Sequence, residues 1–242
     1  MPWPMNWPAD KIDMQPIAHI HNAFKSKFGI PRQAGLVAHM QSCIVFEPPY
    51  RQEEAFRGLE GFSHIWLLWD FSESHSATWR PTVRPPRLGG NRRMGVFATR
   101  SPFRPNPIGL SAVRLTAIRL RTPQGPVLYV EGADLMDGTP IYDIKPYLPF
   151  TDSHPEATGG FTEQTNAIPP LAVDASSGDL SVFTPHERQV ICDLIAQDPR
   201  PHYQDDNTRI YIMPYAQSEI HFHVEDGKAR IIKVQQSMIP NP

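Results

Sequence analysis

The sequence predicts a mainly β protein, with a single-sheeted β-barrel as its N-terminal domain and a small α+β C-terminal domain. From about Pro16 to Phe150 the chain consists of short runs rich in Val, Ile, Leu and aromatic residues, separated by Gly and Pro clusters. Helical periodicity is weak over this stretch, and no Gly-x-Gly-x-x-Gly motif follows a predicted strand. Many short strands with few helices are typical of a barrel or sandwich and argue against a doubly wound sheet.

Seven strands are expected in the N-terminal part. They are residues 17–21, 42–46, 64–71, 94–99, 111–120, 127–132 and 140–144. In the fifth of these, apolar residues alternate as far as Ala117 and then shift by one position to Ile118. Such a slip predicts a β-bulge, which barrels use to bend a strand. Residues 52–59 are the one place here where a short helix is expected.

Composition suggests the domain boundaries. A barrel is expected over residues 15–152, a linker rich in Pro, Gly, Ser and Thr over 153–178, and the small α+β domain over 179–242. A helix is expected early in the last domain, because Thr184 can cap its first turn and Glu187 can reach back to the cap. The strands expected after this helix, joined in part by a hairpin turn at Asp226 and Gly227, are residues 210–213, 218–225 and 229–234.

Cysteine content and hydropathy favour a reduced, cytoplasmic protein. Cys43 and Cys192 are far apart and lack the spacing of metal or redox motifs. No apolar run approaches the roughly 18 residues of a membrane span, and no signal peptide is expected at the N-terminus. No metal is expected either. His221 and His223 share a strand face but have no carboxylate or Cys partner at a known spacing, so surface histidines are favoured.

Charge is distributed unevenly along the chain. Residues 74–130 contain ten arginines and no Asp, Glu or Lys, so this stretch carries +10 while the whole chain carries −2. Arg rather than Lys favours bidentate binding of phosphate or carboxylate and stacking on flat rings. A solvated face explains any single arginine equally well. Ten without a counter-charge indicate an RNA or nucleotide partner. They are Arg80, Arg84, Arg87, Arg92, Arg93, Arg100, Arg104, Arg114, Arg119 and Arg121.

Proline-rich loops present many of these arginines on both sides of the strand predicted at residues 94–99. Because proline fixes the backbone, such a loop loses less entropy when its arginines bind a ligand. The competing interpretation is an edge loop that Pro and Arg protect from aggregation. Gly89, Gly90 and the Asn106–Pro107 pair add geometric demands that an edge does not need, so ligand binding is favoured.

Six long motifs occur in a fixed order and span most of the chain from about Pro16. They are IPRQAGL (30–36), FRGLEGFSHIW (56–66), WRPTVRPPRLGGN (79–91), MGVFATRSPFRPNPIGLS (94–111), DLMDGTPIYDIKPYLP (134–149) and AQDPRPHY (196–203). This set resembles the TrmO family of tRNA methyltransferases. The resemblance implies methylation of N6 of threonylcarbamoyladenosine at position 37 of tRNA, beside the anticodon, with S-adenosylmethionine as cofactor. It also implies a β-barrel and a homodimer whose interface lies near the cofactor site.

The resemblance implies a set of cofactor-binding residues as well. In the family they come from the Pro-Arg-Gln loop, the strand end after Ser-His-x-Trp, the Arg of Ala-Thr-Arg and the Leu-x-Asp-Gly region. Carried onto this sequence they are Pro31, Arg32, Gln33, Ser72, Glu73, Arg100, Leu110, Glu131, Gly132, Ala133 and Asp134. The pair Ser72 and Glu73 departs from the His-Gln of that pattern, and residues 20–23 depart from an Ile-Arg-Ser-Pro pattern.

The residue types suit the chemistry that the resemblance implies. Arg32 or Arg100 can pair with the carboxylate of the cofactor. Asp134 or Asp137 can accept a hydrogen bond from its ammonium or ribose, although Asp137 fits an Asp-Gly turn equally well. The exposed phosphates of tRNA are expected to meet a further set of arginines, Arg87, Arg92, Arg93, Arg104 and Arg200.

A base that removes the N6 proton would help, because the lone pair of that nitrogen is delocalised. Candidates are Asp143, Lys145 and Tyr147, and no sequence feature selects one; Asp143 and Lys145 fit a structural ion pair equally well. A homodimer is also expected because the apolar strand at residues 65–71 carries two Trp. The competing functions are a metal-dependent hydrolase that uses the histidines and a non-catalytic RNA-binding barrel whose bases stack on Trp66, Trp69 or Trp79.

Overall fold

A computed structural model describes residues 13–76, 78–88, 92–163, 169–200 and 206–237. The glycines at 89 and 90, the side chain of Arg87 and the end of the last motif, residues 201–203, lie outside the described part. The first eight strands are β1 (Ala18–His21), β2 (Gln41–Phe46), β3 (His64–Asp70), β4 (Thr82–Val83), β5 (Met94–Gly95), β6 (Ile108–Arg119), β7 (Val127–Glu131) and β8 (Pro140–Pro146).

Six of these strands close into an antiparallel barrel in the order β1-β2-β7-β6-β3-β8. The prediction of a mainly β, single-sheeted barrel is therefore confirmed. Alternate residues of each strand point inward, and the fully buried interior includes Ile20, Ile44, Ile65, Leu67 and Leu128. Burial of these aliphatic side chains is the main stabilising contribution to the barrel.

The predicted bulge in the long strand β6 is also confirmed. Its pairing with β7 shifts register between Leu115 and Ala117, at the position where the apolar alternation slips. A bulge increases local twist and bends the strand. This bend lets the 12-residue strand β6 pair with β3 at one end and β7 at the other while following the curved wall.

Two predicted elements are shorter than expected. The strand expected at residues 94–99 pairs with β4 only over Met94–Gly95, and a 3-10 turn follows at Val96–Ala98. The turn forms because the Thr99 N–H and hydroxyl both bond back to the Val96 carbonyl. The helix expected at residues 52–59 is a single 3-10 turn, Glu53–Phe56, and it ends before Gly58, whose φ of 87° is left-handed.

The C-terminal part is a four-stranded sheet packed on one helix. After the short helix α1 (Pro149–Asp152) come β9 (Ala172–Asp174), α2 (Pro185–Ala196), β10 (Tyr211–Tyr215), β11 (Ser218–Glu225) and β12 (Lys228–Gln236). The sheet order is β10-β11-β12-β9, with β9 parallel to β12. Strand β9 thus comes from residues predicted as linker. No described helix is long and apolar enough to cross a membrane.

Local signals in this part behave as predicted. Thr184 caps α2, its side chain accepts the Glu187 N–H, and the Glu187 carboxylate accepts the Thr184 N–H in return. Asp226 and Gly227 both have positive φ, 47° and 73°, as a tight hairpin turn between β11 and β12 requires.

Residues 22–40, between β1 and β2, pack into the core of the C-terminal part rather than into the barrel. Phe24, Val37 and Met40 are buried there beside Ile191 and Met213. Because this segment carries the Pro-Arg-Gln motif, both parts of the molecule fix its position.

The packing at Gly29 in this segment leaves no space for a side chain. Its φ is 97°, and a Cβ there would lie 2.6 Å from Cγ of Met213. Glycine is therefore required by both the backbone conformation and the close approach of β10.

Candidate functional site

A cavity of about 720 Å³ opens between residues 27–33, the end of β3 and the segment 99–110. Its volume lies within the range of roughly 300–1,000 Å³ that is usual for small-molecule sites. Eight of the eleven residues expected to hold a cofactor line it: Pro31, Arg32, Gln33, Ser72, Glu73, Arg100, Leu110 and Asp134.

The other three expected residues, Glu131, Gly132 and Ala133, do not line the cavity. Gly132 forms two backbone hydrogen bonds with the segment between β1 and β2. Its carbonyl accepts from the Gly35 N–H at 2.9 Å, and its N–H donates to the Met40 carbonyl at 2.9 Å. Glu131 forms an ion pair with Arg114 at 3.1 Å. Residues 131–133 therefore hold the end of the Pro-Arg-Gln loop in place from behind the cavity.

A hydrogen-bonded chain forms one wall of the cavity. Trp69 Nε1 donates to Ser111 Oγ at 3.0 Å, and Ser111 Oγ donates to the Asp134 carboxylate at 2.5 Å. The Trp69 indole lies directly on Gly109, where a Cβ would be 2.1 Å from the ring, so only glycine allows this contact. The apolar ring and the carboxylate are thereby fixed next to each other.

Asp134 is the carboxylate of this wall. Burial raises the pKa of the Asp134 carboxyl, while the hydrogen bond from Ser111 and the positive charge of Arg100 act in the opposite direction. A desolvated carboxylate gains most from a cationic ligand group, because attraction is stronger at low dielectric. The wall is therefore suited to a ligand with a positive charge on an otherwise apolar or aromatic body.

Arginines and an amide form another part of the cavity lining. Arg100 Nη1 donates to Gln33 Oε1, Gln33 Nε2 donates to the Arg32 carbonyl at 2.5 Å, and the Arg32 guanidinium donates to the Asp198 carbonyl. Asp198 belongs to the C-terminal part, so this part reaches the cavity through Arg32. Guanidinium groups held in this way can bind a carboxylate with little further loss of entropy.

The arginines expected to bind RNA occupy different environments. Arg92 and Arg93 are exposed beside the two-stranded ribbon of β4 and β5. Arg104 lines the cavity, where it donates to the Thr99 carbonyl at 3.0 Å. Arg200 is half-buried and forms an ion pair with Asp198 at 2.7 Å. Arg104 therefore belongs to the cavity lining, and Arg200 holds the side chain of Asp198 in place.

The lining also includes two charged residues that were not predicted from the sequence, Lys27 and Asp70. Lys27 Nζ donates to the Glu73 carbonyl at 2.8 Å and so holds the end of β3. Asp70 is only 8% exposed, and His75 Nε2 lies 2.8 and 3.0 Å from its two oxygens. In the sequence, Asp70 could have been noticed as a carboxylate that directly follows the apolar run of β3.

Tyr142 also contacts Asp70. Burial raises the pKa of the Tyr142 phenol, and its hydrogen bond and proximity to the Asp70 carboxylate raise it further. Asp70 is therefore held between a histidine and a phenol at the edge of the cavity.

The three candidate catalytic residues lie elsewhere on or just after β8. Asp143 and Lys145 form an ion pair with each other at 2.8 Å, and Tyr147 packs against Trp66 with ring centroids 5.5 Å apart. None of them lines the cavity. Within the described ranges, no three or more His, Cys, Asp or Glu side chains come together as a metal site would require.

Comparison with known proteins agrees with this geometry. Residues 19–153 match the model of the tRNA-methyltransferase O N-terminal domain, and residues 172–237 match that of the TrmO C-terminal domain. The chain belongs to the TrmO family. The sequence resemblance and the barrel fold predicted from it are therefore both confirmed.

Relatives of the chain within the TrmO family cover most of its length. A tRNA (adenine(37)-N6)-methyltransferase from Escherichia coli (strain K12) is 43% identical over 198 residues, which are 80% of this chain and 84% of that protein. A protein of the same name from Eikenella corrodens is 50% identical over 173 residues, 70% of this chain and 95% of that protein. A crystal structure of TrmO from Pseudomonas aeruginosa superposes with a TM-score of 0.76 at 32% identity, covering 96% of this chain and all of that one.

Proposed function

We propose that the protein methylates N6 of threonylcarbamoyladenosine at position 37 of tRNA, using S-adenosylmethionine as the methyl donor. Membership of the TrmO family and the names of the E. coli and Eikenella relatives support the tRNA adenine-37 activity. A further relative from Pseudomonas aeruginosa, 40% identical over 220 residues, is provisionally named an S-adenosylmethionine-dependent methyltransferase.

The observation that carries the proposal is the presence of both positive and negative side chains in the lining of one cavity. S-adenosylmethionine has a carboxylate, an ammonium, a positively charged sulfur that bears the transferable methyl, and a flat adenine. Arg100 and Arg32 match the carboxylate, and Asp134 matches a positive group. The Trp69 ring and Leu110 supply apolar surface for the adenine.

The chain's contribution to the reaction is mainly one of position and charge. Holding N6 in line with the methyl group turns an encounter between two molecules into a step within one complex, which lowers the entropic cost. Asp134 would hold a positively charged group of S-adenosylmethionine and so orient it, and the bound cofactor would supply the activated methyl group. The methyl–N6 bond forms as the sulfur–methyl bond breaks, and N6 must then give up its proton.

Asp70 is the proton acceptor that we favour over Asp143, Lys145 and Tyr147. It is the nearly buried carboxylate of the cavity lining, while those three lie outside that lining. The proton would pass from N6 to Asp70 and then to His75, whose side chain is 57% exposed and can release it to solvent.

Homodimer formation and a cytoplasmic location are part of the same proposal. A homodimer is supported by two exposed apolar side chains, Leu110 of the cavity lining and Phe103, which lies between the lining residues Pro102 and Arg104. Strand β3 supports it less than expected, because Trp69 is buried and Trp66 donates to Asp152 at 2.9 Å. A tRNA substrate supports a cytoplasmic location.

The test is a calorimetric titration with S-adenosylmethionine, followed by methyl transfer to tRNA with and without the threonylcarbamoyl group. Binding near one site per chain and incorporation only into the threonylcarbamoylated tRNA are expected. Absence of cofactor binding would remove the enzymatic proposal, and equal incorporation into both tRNAs would remove the proposed substrate.

A further inference from the structure

We propose that Trp79 and Phe97 form a stacking platform for unpaired bases of the tRNA anticodon loop. This inference rests on the proposed function, since it names the surface that receives the substrate. The two side chains, called the aromatic pair below, are 49% and 73% exposed, and their ring centroids lie 6.0 Å apart at an interplanar angle of 31°. They form an exposed pair of rings that are tilted toward each other.

The backbone around the aromatic pair is well anchored. Thr82 and Val83 of β4 pair with Gly95 and Met94 of β5, and the Val96 N–H donates to the Pro81 carbonyl at 2.9 Å. Val96 is 1% exposed, so the residue immediately before Phe97 is fixed in the interior. Rings presented by a rigid ribbon lose little entropy when a base stacks on them.

Charge around the aromatic pair favours RNA over other partners. Arg80, Arg84, Arg92 and Arg93 are all exposed in the same segment, which has no acidic residue. Within the described ranges no carboxylate forms an ion pair with any of these four arginines. Exposed aromatic rings among basic side chains are the arrangement that binds unpaired nucleotides, because the rings stack on bases and the cations contact phosphates.

The same segment connects the aromatic pair to the cofactor cavity. Thr99 and Arg100, two and three residues after Phe97, line the cavity, and so does Pro86, just after β4. A loop whose unpaired bases rest on the aromatic pair therefore lies on the strip of chain that forms the cavity wall. An adenosine beside the anticodon must leave its stack to react, and neighbouring bases held on the rings would stabilise that open loop.

The other tryptophans described by the structure are engaged inside the chain. Trp66 packs on Tyr147 and donates to Asp152, while Trp69 is buried against Gly109. Of the three tryptophans considered for stacking on sequence grounds, the structure thus leaves Trp79 exposed, and it adds Phe97 as its neighbour.

The experiment measures binding of two RNA probes by fluorescence anisotropy. One is an anticodon stem-loop, and the other is a blunt duplex with no unpaired bases. Trp79→Ala and Phe97→Ala should each weaken stem-loop binding about tenfold, with little change for the duplex. Because stacking is not ionic, the loss should persist at high salt. Trp79→Phe should retain most of the affinity.

Phe150→Ala is the matched control. Phe150 is an 87% exposed aromatic side chain in α1, outside the arginine-rich stretch, and its removal should leave stem-loop binding unchanged. Unaltered thermal unfolding and S-adenosylmethionine affinity in each variant would show that the fold and the cavity are intact.

Stem-loop affinity unchanged in both alanine variants would overturn the inference. It would also be overturned if the variants lost affinity only because a dimer dissociated, as shown by sedimentation, since the rings would then contact a second copy of the chain. Methyl transfer by the unaltered protein separates the two proposals. If it methylates tRNA and the variants bind normally, only the platform is wrong; if it transfers no methyl group, the proposed function fails.

Discussion

The arginines of the cavity and the arginines of the β4–β5 ribbon differ in what holds them. Arg100 donates to Gln33, and Arg32 donates to the backbone of Asp198, so both have fixed directions before any ligand binds. Arg92 and Arg93 are exposed, and Arg93 Nη1 donates to the neutral Thr82 hydroxyl at 3.1 Å. A fixed guanidinium can recognise one small anion, whereas an exposed one can meet any of several phosphates.

The largest effect is expected from a residue on the cavity side of this comparison. Asp70→Asn should lower the methyl transfer rate by about 100-fold or more, which is the usual contribution of a general base. Affinity for S-adenosylmethionine and for tRNA should change little, because the amide keeps the shape of the carboxylate. Single-turnover kinetics at saturating cofactor measure the rate.

The variant His75→Gln tests the second step of the proposed proton path, from Asp70 to His75. If His75 carries the proton to solvent, the rate of this variant should fall. Equal rates for Asp70→Asn and the unaltered protein would show that the proton leaves by another route.

Arg100→Ala should weaken binding of S-adenosylmethionine about tenfold or more, because a hydrogen bond to a charged group contributes roughly 1.5–3 kcal/mol. Binding of tRNA should stay nearly the same. Arg121→Ala is the matched control, since Arg121 is an exposed arginine that pairs with Glu53 outside the cavity. Calorimetry measures the first ligand and filter binding the second. A parallel loss of both ligands would mean that the two groups of arginines act as one network.

Asp134 should make the affinity of the cavity for S-adenosylmethionine depend on pH. Burial raises the pKa of its carboxyl, and a positively charged ligand favours the ionised form, so ligand binding should release a proton. Affinity for S-adenosylmethionine should therefore fall as the pH drops below the raised pKa, and Asp134→Asn should abolish that dependence and bind the ligand roughly tenfold more weakly. Titrations across mildly acid pH test this.

Asp134 affects folding stability in the opposite direction: cofactor affinity should rise with pH, whereas stability should fall. A carboxyl whose pKa is raised in the folded state binds more protons there than when unfolded, so Asp134 lowers stability as pH rises through the interval between its two pKa values. Asp134→Asn should consequently raise the melting temperature at neutral pH while it weakens cofactor binding. A lower melting temperature at neutral pH would mean that the hydrogen bond from Ser111 outweighs the cost of burial.

The smallest effect is expected when exposed arginines beside the β4–β5 ribbon are removed. Arg92→Ala with Arg93→Ala should weaken tRNA binding by roughly fivefold at low salt, as two exposed charge contacts contribute. The slope of tRNA affinity against salt should decrease by about 1 for each phosphate that these side chains no longer neutralise. Cofactor affinity should not change. A defect of the same size at all salt concentrations would contradict phosphate binding by these side chains.

Features that depend on residues close together in the sequence were predictable from the sequence. The bulge of β6, the capping box at Thr184 and the turn at Asp226 follow from periodicity, a cap residue and an Asp-Gly pair, and each is found where expected. The strand predicted at residues 94–99 was too long, because the hydrogen bonds from Thr99 to Val96 close a turn that apolar alternation does not reveal.

The barrel class, the TrmO family and eight cavity-lining residues predicted to bind the cofactor were accessible from the amino-acid sequence. Folding in three dimensions was needed to bring Asp70, Lys27 and Arg104 into that cavity. It also placed residues 22–40 against the C-terminal sheet, added β9 to this sheet, and left Trp79 rather than Trp66 or Trp69 exposed. The physical reason is distance along the chain. Short-range patterns encode turns, caps and strand faces, whereas burial of a given side chain depends on which distant segment covers it.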